Sequence, residues 1–216
     1  MPLQFKIMIA IIDYGMGNLR SVAKALEAAG AADVRITSDP KIISQADKIV
    51  LPGVGAFKEA MRELRRLGLI KAIKDNIFKK PFLGICLGLQ LLFSESEEGG
   101  KVKGLGIFPG IVKRFPDKLK VPHMGWNQVR ITNHESRITN FRNIPDNAFF
   151  YFCHSYYVVP KDKRLIAAVT DYGKDFVSAI AKDNLFACQF HPEKSQESGL
   201  RLLKNFARKS PLAVTF

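Results

Sequence analysis

Three short segments carry residues whose types and spacing can do chemistry. The first is Phe82-Leu83-Gly84-Ile85-Cys86-Leu87-Gly88-Leu89-Gln90-Leu91-Leu92-Phe93, an apolar run with a cysteine set between glycines as G-x-C-x-G. This is the nucleophile-elbow pattern, in which a strand turns sharply into a helix and exposes the nucleophile at the strand's carboxyl end. Gly84 and Gly88 are needed for the two arms to approach closely, and the turn strains the backbone of Cys86. The thiol is then expected at a helix N-terminus, where the macrodipole favours thiolate, with the Leu87 N–H aimed at any oxyanion formed there. A free cysteine is more often a small buried hydrophobe; the flanking glycines and the strand-to-helix switch are what favour a nucleophile.

The second segment is Gln189-Phe190-His191-Pro192-Glu193, at the end of a late apolar run. In an extended chain residues two apart share a side, so the Glu193 carboxylate can orient the His191 imidazole and stabilise its cation. Cys86, His191 and Glu193 then form a relay for attack on an amide carbon and protonation of the departing ammonia. The third is Leu51-Pro52-Gly53-Val54-Gly55, also closing a strand. Its glycines let backbone N–H groups point at a neighbouring anion, as a second oxyanion donor must.

These segments need a frame that brings three strand ends together. Apolar runs at 7–12, 34–37, 48–51 and 82–86 alternate with helical periodicity over 18–29, 57–67 and 69–78. That alternation predicts an α/β fold whose mainly parallel sheet is covered by helices on both faces. After Gly99-Gly100 short alternating stretches at 107–115, 127–131, 149–153 and 156–159 predict antiparallel additions, with turns at Pro109-Gly110, Pro116-Asp117 and Asn133-His134. Runs at 176–182 and 185–190 read as a hairpin across Asp183-Asn184. A closing helix carries Leu200, Leu203, Phe206 and Ala207 on one face, with Ser195 or Ser198 as its cap. No repeat or linker interrupts the 216 residues, and one domain over 1–216 is expected.

Composition narrows the function classes. The hydrophobic content of 47% and charged content of 25% are those of an ordinary globular protein. No apolar run approaches the roughly 20 residues of a membrane-spanning helix, and residues 1–6 lack the regions of a signal peptide. A cytoplasmic protein is expected. The three cysteines, Cys86, Cys153 and Cys188, include no C-x-x-C pair, which disfavours a disulfide framework or a zinc knuckle. A net charge of +13 is spread over short runs such as Arg62–Arg66 and Lys161–Arg164, without interleaved aromatics, so a solvated surface is favoured over nucleic-acid binding. Asp13-Tyr14-Gly15-Met16-Gly17-Asn18 lacks the third glycine and the Lys-Ser/Thr of a phosphate loop. His123 and His154 read as hydrogen-bonded structural residues.

Taken together, the Cys86 elbow, Pro52-Gly53-Val54-Gly55 and His191-Pro192-Glu193 resemble those of a class I glutamine amidotransferase. Within that family the chain is most similar to the glutaminase subunits of imidazole glycerol phosphate synthase. The narrower likeness rests on Asp13-Tyr14-Gly15-Met16-Gly17-Asn18-Leu19, Pro52-Gly53-Val54-Gly55, Pro122-His123-Met124-Gly125-Trp126-Asn127, Tyr151-Phe152-Cys153-His154-Ser155-Tyr156 and His191-Pro192-Glu193-Lys194-Ser195. The resemblance implies a flavodoxin-like fold, hydrolysis of L-glutamine through a Cys86 thioester, and no cofactor or metal. It implies transfer of the ammonia to a cyclase (β/α)8-barrel subunit, which makes imidazole glycerol phosphate in histidine biosynthesis. It assigns glutamine binding to Gly55, Gln90, Glu98 and Ser155, oxyanion donors to Val54 and Leu87, and the barrel interface to Asn18, Met124, Trp126, Tyr151 and Lys194. From its own context Trp126 fits an interface anchor or a core residue equally well. The same catalytic motifs also occur in paralogues that supply ammonia to sugar-modifying amidotransferases of surface polysaccharides. The elbow alone would also suit a cysteine peptidase, and the basic charge a binding module.

Overall fold

The computed structural model describes residues 7–132 and 139–208. The expected turn at Asn133-His134, the start over 1–6 and the tail over 211–216 lie outside the described residues. The first part of the chain runs β1 (Met8–Ile12), α1 (Leu19–Ala28), β2 (Asp33–Thr37), α2 (Pro40–Gln45), β3 (Lys48–Leu51), α3 (Phe57–Arg66), α4 (Leu69–Asn76) and β4 (Phe82–Ile85). Its four strands pair in parallel in the order β2-β1-β3-β4. Helix α2 was not anticipated, yet its signal is local: Pro40 opens the helix and the Asp39 carboxylate accepts from the Lys41 N–H.

Beyond Cys86 come α5 (Leu87–Gln90), β5 (Phe93–Ser96), β6 (Val102–Lys103), β7 (Phe108–Arg114), β8 (His123–Ile131), β9 (Ala148–His154), β10 (Tyr156–Pro160), β11 (Ile166–Asp171), β12 (Asp175–Lys182), β13 (Leu185–Cys188) and α6 (Gln196–Ala207). The sheet continues from β4 through β13-β12-β10-β7-β5-β6, with β11, β8 and β9 extending from β12. Strand β13 lies parallel to β4, with Ala187 opposite Gly84 and Cys188 opposite Ile85. That pairing sets the segment leading to His191 beside the Cys86 strand. The hairpin between β12 and β13 turns on Asp183-Asn184, with Asp183 at φ 51°.

Three local expectations are corrected. The helix after Cys86 is a single turn, because the chain leaves it to form β5 against β7 and β6; a macrodipole from one turn is small. Pro109-Gly110 is not a turn but part of β7, where a Cβ on Gly110 would come 2.6 Å from the Val159 carbonyl. Ser195 makes no side-chain cap on α6; its hydroxyl donates to the His191 carbonyl at 2.6 Å and accepts from the Tyr151 N–H at 3.0 Å.

Period-two alternation decides which helices cover each face. Ile49, Leu51, Phe82 and Leu185 pack with Phe57, Leu64 and Ile73 of α3 and α4, while Val50, Leu83, Phe186 and Cys188 pack with Leu26 of α1 and Leu203 of α6. Both faces are closed, and the sheet's carboxyl edge is left for the three chemical segments.

Candidate active site

At the end of β4, Cys86 adopts φ 52° and ψ −105°, a left-handed region that a side chain enters at a cost of about 1–3 kcal/mol. The surroundings leave no alternative. A Cβ on Gly88 would lie 1.8 Å from the Leu51 carbonyl oxygen, and one on Gly84 would lie 2.9 Å from the Ala187 Cβ. The two glycines therefore let the elbow press against β3 and β13, as the G-x-C-x-G spacing predicts. The Cys86 N–H donates to the Cys188 carbonyl at 2.8 Å, which ties the elbow to the strand that leads to His191.

His191 follows β13 and is 2% exposed; its Nδ1 meets Glu193 Oε1 at 2.8 Å. Burial pushes the imidazole pKa down. The charge and hydrogen bond of Cys86, with those of Glu193, outweigh burial and raise it to about 10. The three side chains are thus linked through His191, whose protonated form both the sulfur and the carboxylate favour. The second Glu193 oxygen, Oε2, is buried without a hydrogen-bond partner among the described residues.

Gln189 also belongs to this group, and sequence reasoning missed it. Its Nε2 donates to Cys86 Sγ at 3.6 Å, and its Oε1 accepts from Gln90 Nε2 at 3.1 Å. The signal was available for Gln189, which is two residues from His191 in the extended run and so shares its side; Glu193 reaches the imidazole instead from a 3-10 turn over Pro192–Lys194, not from the extended segment expected.

The loop after β3 packs directly on the elbow. The Leu87 N–H, expected to face an oxyanion, donates to the Gly53 carbonyl at 3.3 Å. Beneath it the fully buried Tyr14 donates its hydroxyl to the Pro52 carbonyl at 2.9 Å. Val54 is 40% exposed, and Gly55 turns at φ 93°. The arrangement has a nucleophile, an acid–base group and its orienting carboxylate, while the Leu87 amide is already engaged.

The residues expected to hold glutamine surround this point unevenly. Gln90 is buried in α5 and spends its amide N–H groups on the Tyr156 carbonyl at 3.0 Å and on Gln189. Glu98 Oε2 accepts from the Phe57 N–H at 2.9 Å at the start of α3; burial raises the carboxyl pKa and that hydrogen bond opposes the rise. Ser155 is the corner residue between β9 and β10, its carbonyl accepting from the Phe115 N–H.

Four of the five expected interface residues, Met124, Trp126, Tyr151 and Lys194, lie at the outer side of β8 and β9. Trp126 stands opposite Tyr151 in the register, their rings 6.2 Å apart, and the Lys194 ammonium lies 5.7 Å from the Tyr151 ring centre. Met124 and Trp126 are 59% and 46% exposed, which decides against a core tryptophan. Asn18 is exposed at the start of α1 and does not cap that helix with its side chain.

His123 and His154 lie behind the site as a buried pair. His154 Nδ1 donates to the Tyr156 carbonyl at 2.7 Å, which leaves its Nε2 to accept from His123 Nδ1 at 3.0 Å. His123 Nε2 in turn accepts from Asn127 at 3.2 Å. Burial lowers the His123 pKa to about 4 and that of His154 to about 3, so both rings are neutral scaffolding, as expected.

Comparison with known proteins agrees with this geometry. The family model described as "Glutamine amidotransferase class-I" matches residues 10–210. The imidazole glycerol phosphate synthase subunit HisH of Acinetobacter baylyi is 56% identical over 200 residues, covering 92% of this chain and 96% of that protein. The subunit of the same name from Aquifex aeolicus is 53% identical, covering 95% and 98%. Among solved structures, PurLQS from Thermotoga maritima superposes with a TM-score of 0.72 at 18% identity, covering 93% of this chain and 97% of that one. The glutaminase domain of Trypanosoma brucei CTPS with bound acivicin gives 0.63 at 18% identity, covering 95% and 96%. The mixed sheet flanked by helices is the fold these structures share. The chain belongs to the class I glutamine amidotransferases.

Proposed function

We propose that this chain is the glutaminase subunit of an imidazole glycerol phosphate synthase, folded as one glutaminase domain over 1–216 and working in the cytoplasm with a cyclase (β/α)8-barrel subunit. The single observation that carries the chemistry is the line of Cys86, His191 and Glu193 at the elbow. Relatives at more than half identity over nearly the whole chain, all bearing the same subunit name, support the pathway.

In this reading Cys86 Sγ attacks the side-chain amide carbon of L-glutamine, and its proton resides on His191. The tetrahedral oxyanion is held by the N–H groups of Leu87 and Val54. As the carbon–nitrogen bond breaks, His191 gives its proton to the leaving ammonia and a Cys86 thioester remains. His191 then takes a proton from water, which attacks the thioester and releases glutamate. Glu193 keeps the imidazole oriented and stabilises its cation throughout. Gly55, Gln90, Glu98 and Ser155 hold the substrate, with the Glu98 carboxylate opposite its α-ammonium group.

The Leu87 amide is engaged by Gly53, so the resting subunit lacks a complete oxyanion hole. Binding of the barrel over Asn18, Met124, Trp126, Tyr151 and Lys194 turns the Gly53–Val54 peptide, which frees Leu87 and presents the Val54 N–H. Ammonia then passes to the cyclase.

The test is product formation by the reconstituted pair. With glutamine, wild type makes imidazole glycerol phosphate; Cys86→Ala does so only when ammonium salt replaces glutamine. Glutamine-dependent product from Cys86→Ala, or no product from wild type with a cyclase active on ammonium, would contradict the proposal.

A further inference from the structure

The loop between β1 and α1 lies under the oxyanion loop and touches it twice. Tyr14 Oη donates to the Pro52 carbonyl, and a Cβ built on Gly53 would fall 2.1 Å from that hydroxyl. Two residues on, the Met16 methyl lies 2.9 Å from where a Cβ on Gly55 would stand. Tyr14 is 0% exposed and packs with Leu51, Leu87 and Leu89 in the core, so its hydroxyl is a fixed point. Burial and the nearby Cys86 charge both raise its pKa, and it remains an O–H donor across the working range.

The backbone couples this contact to the loop. Turning the Gly53–Val54 peptide rotates ψ of Gly53 and φ of Val54 in opposite senses, and the Gly53 pivot is packed against the Tyr14 hydroxyl, so closely that a Cβ there would fall 2.1 Å from it. The proline ring locks φ of Pro52, so any displacement of that pivot falls on ψ of Pro52, the torsion that swings the Pro52 carbonyl. A turn that shifts the pivot therefore pulls the carbonyl away from a hydroxyl that cannot follow.

We propose that Tyr14 is a positioning residue for glutamine hydrolysis, the latch that holds the Pro52–Gly55 loop in the arrangement where the Gly53 carbonyl blocks the Leu87 amide. The idea rests on the glutaminase reading and adds a residue to it. It makes the β1–α1 loop, whose far end is the exposed Asn18, a route from the partner surface to the oxyanion hole.

The experiment measures glutamate release by Tyr14→Phe, alone and reconstituted with the cyclase subunit and imidazole glycerol phosphate. The unstimulated rate is expected to rise about five-fold, the factor one neutral buried hydrogen bond supports. The stimulated rate changes by less than about two-fold, so the stimulation ratio contracts. A merely structural tyrosine would lower both rates together. An unchanged or larger ratio overturns the latch while leaving the glutaminase reading intact; a wild-type complex that releases no glutamate overturns both. Should Tyr14→Phe fail to fold, Pro52→Ala frees φ at the hinge with the tyrosine in place, and its unstimulated rate must rise for the latch to stand.

Discussion

The Leu87 amide and the Gly53 carbonyl hold each other at 3.3 Å, which means that the donor the elbow offers to a tetrahedral intermediate is already in use. The nucleophile and its relay are assembled: the strained Cys86 backbone, His191 with its pKa raised to about 10, and the Glu193 carboxylate at 2.8 Å from it. A structure of this kind separates competence from activity. The nucleophile and its relay are fixed by the sheet, whereas the oxyanion hole depends on one peptide in a loop.

The relay sets a pH dependence. His191 must carry a proton to give to ammonia, and its pKa is raised to about 10, so kcat/KM is expected to fall as pH rises through about 10. Glu193→Gln removes the carboxylate's share of that rise, moving the alkaline limb to lower pH and reducing kcat by about ten-fold or more. A limb that stays in place in the variant would separate Glu193 from the relay.

The buried histidine pair makes the fold acid-sensitive. Folded, His123 and His154 stay neutral down to about 4 and about 3; unfolded, they take protons near the ordinary imidazole value. The unfolded chain therefore binds more protons below about pH 6.5, and stability falls as pH drops from there toward 4. Urea midpoints measured across this range should fall more steeply for wild type than for His123→Gln/His154→Gln. Equal slopes would show that the pair does not carry the dependence.

Trp126 is exposed beside Tyr151 on a strand pair whose inner side carries the buried His123, Val129, Phe150 and Phe152. Trp126→Ala is expected to weaken assembly with the cyclase subunit at least ten-fold while shifting the thermal midpoint of the free subunit by no more than about two degrees. Calorimetric titration and a melting curve read the two effects separately. A melting shift comparable to a core truncation would return Trp126 to a packing role.

The sequence made the elbow legible because its constraints are local and steric. Gly84 and Gly88 are dictated by close approaches in which an added Cβ would stand 2.9 Å and 1.8 Å from its nearest neighbour. Most of the parallel half was equally readable, since β1, β3 and β4 are buried on both faces, whereas β2 at the edge is half exposed. The length of the helix after Cys86 was not, because pairing of Phe93–Ser96 with β7 is a long-range choice that overrides local apolar character. Gln189 was legible by the period-two rule and overlooked. The roles of Tyr14 and Gly53 were not: neither a tyrosine in a glycine-rich loop nor a carbonyl's direction leaves any pattern in residue types. Lys48 was likewise hidden, a buried lysine whose ammonium reaches the carbonyls of Phe206 and Arg208 at the end of α6, 158 and 160 residues away.

If one thiol carries glutamine hydrolysis, glutamate release by the Cys86→Ala subunit in the complete, ligand-stimulated complex falls to background, while assembly and ammonium-dependent cyclisation are unchanged. Glutamate release that persists at a substantial fraction of the wild-type rate would contradict that role for Cys86.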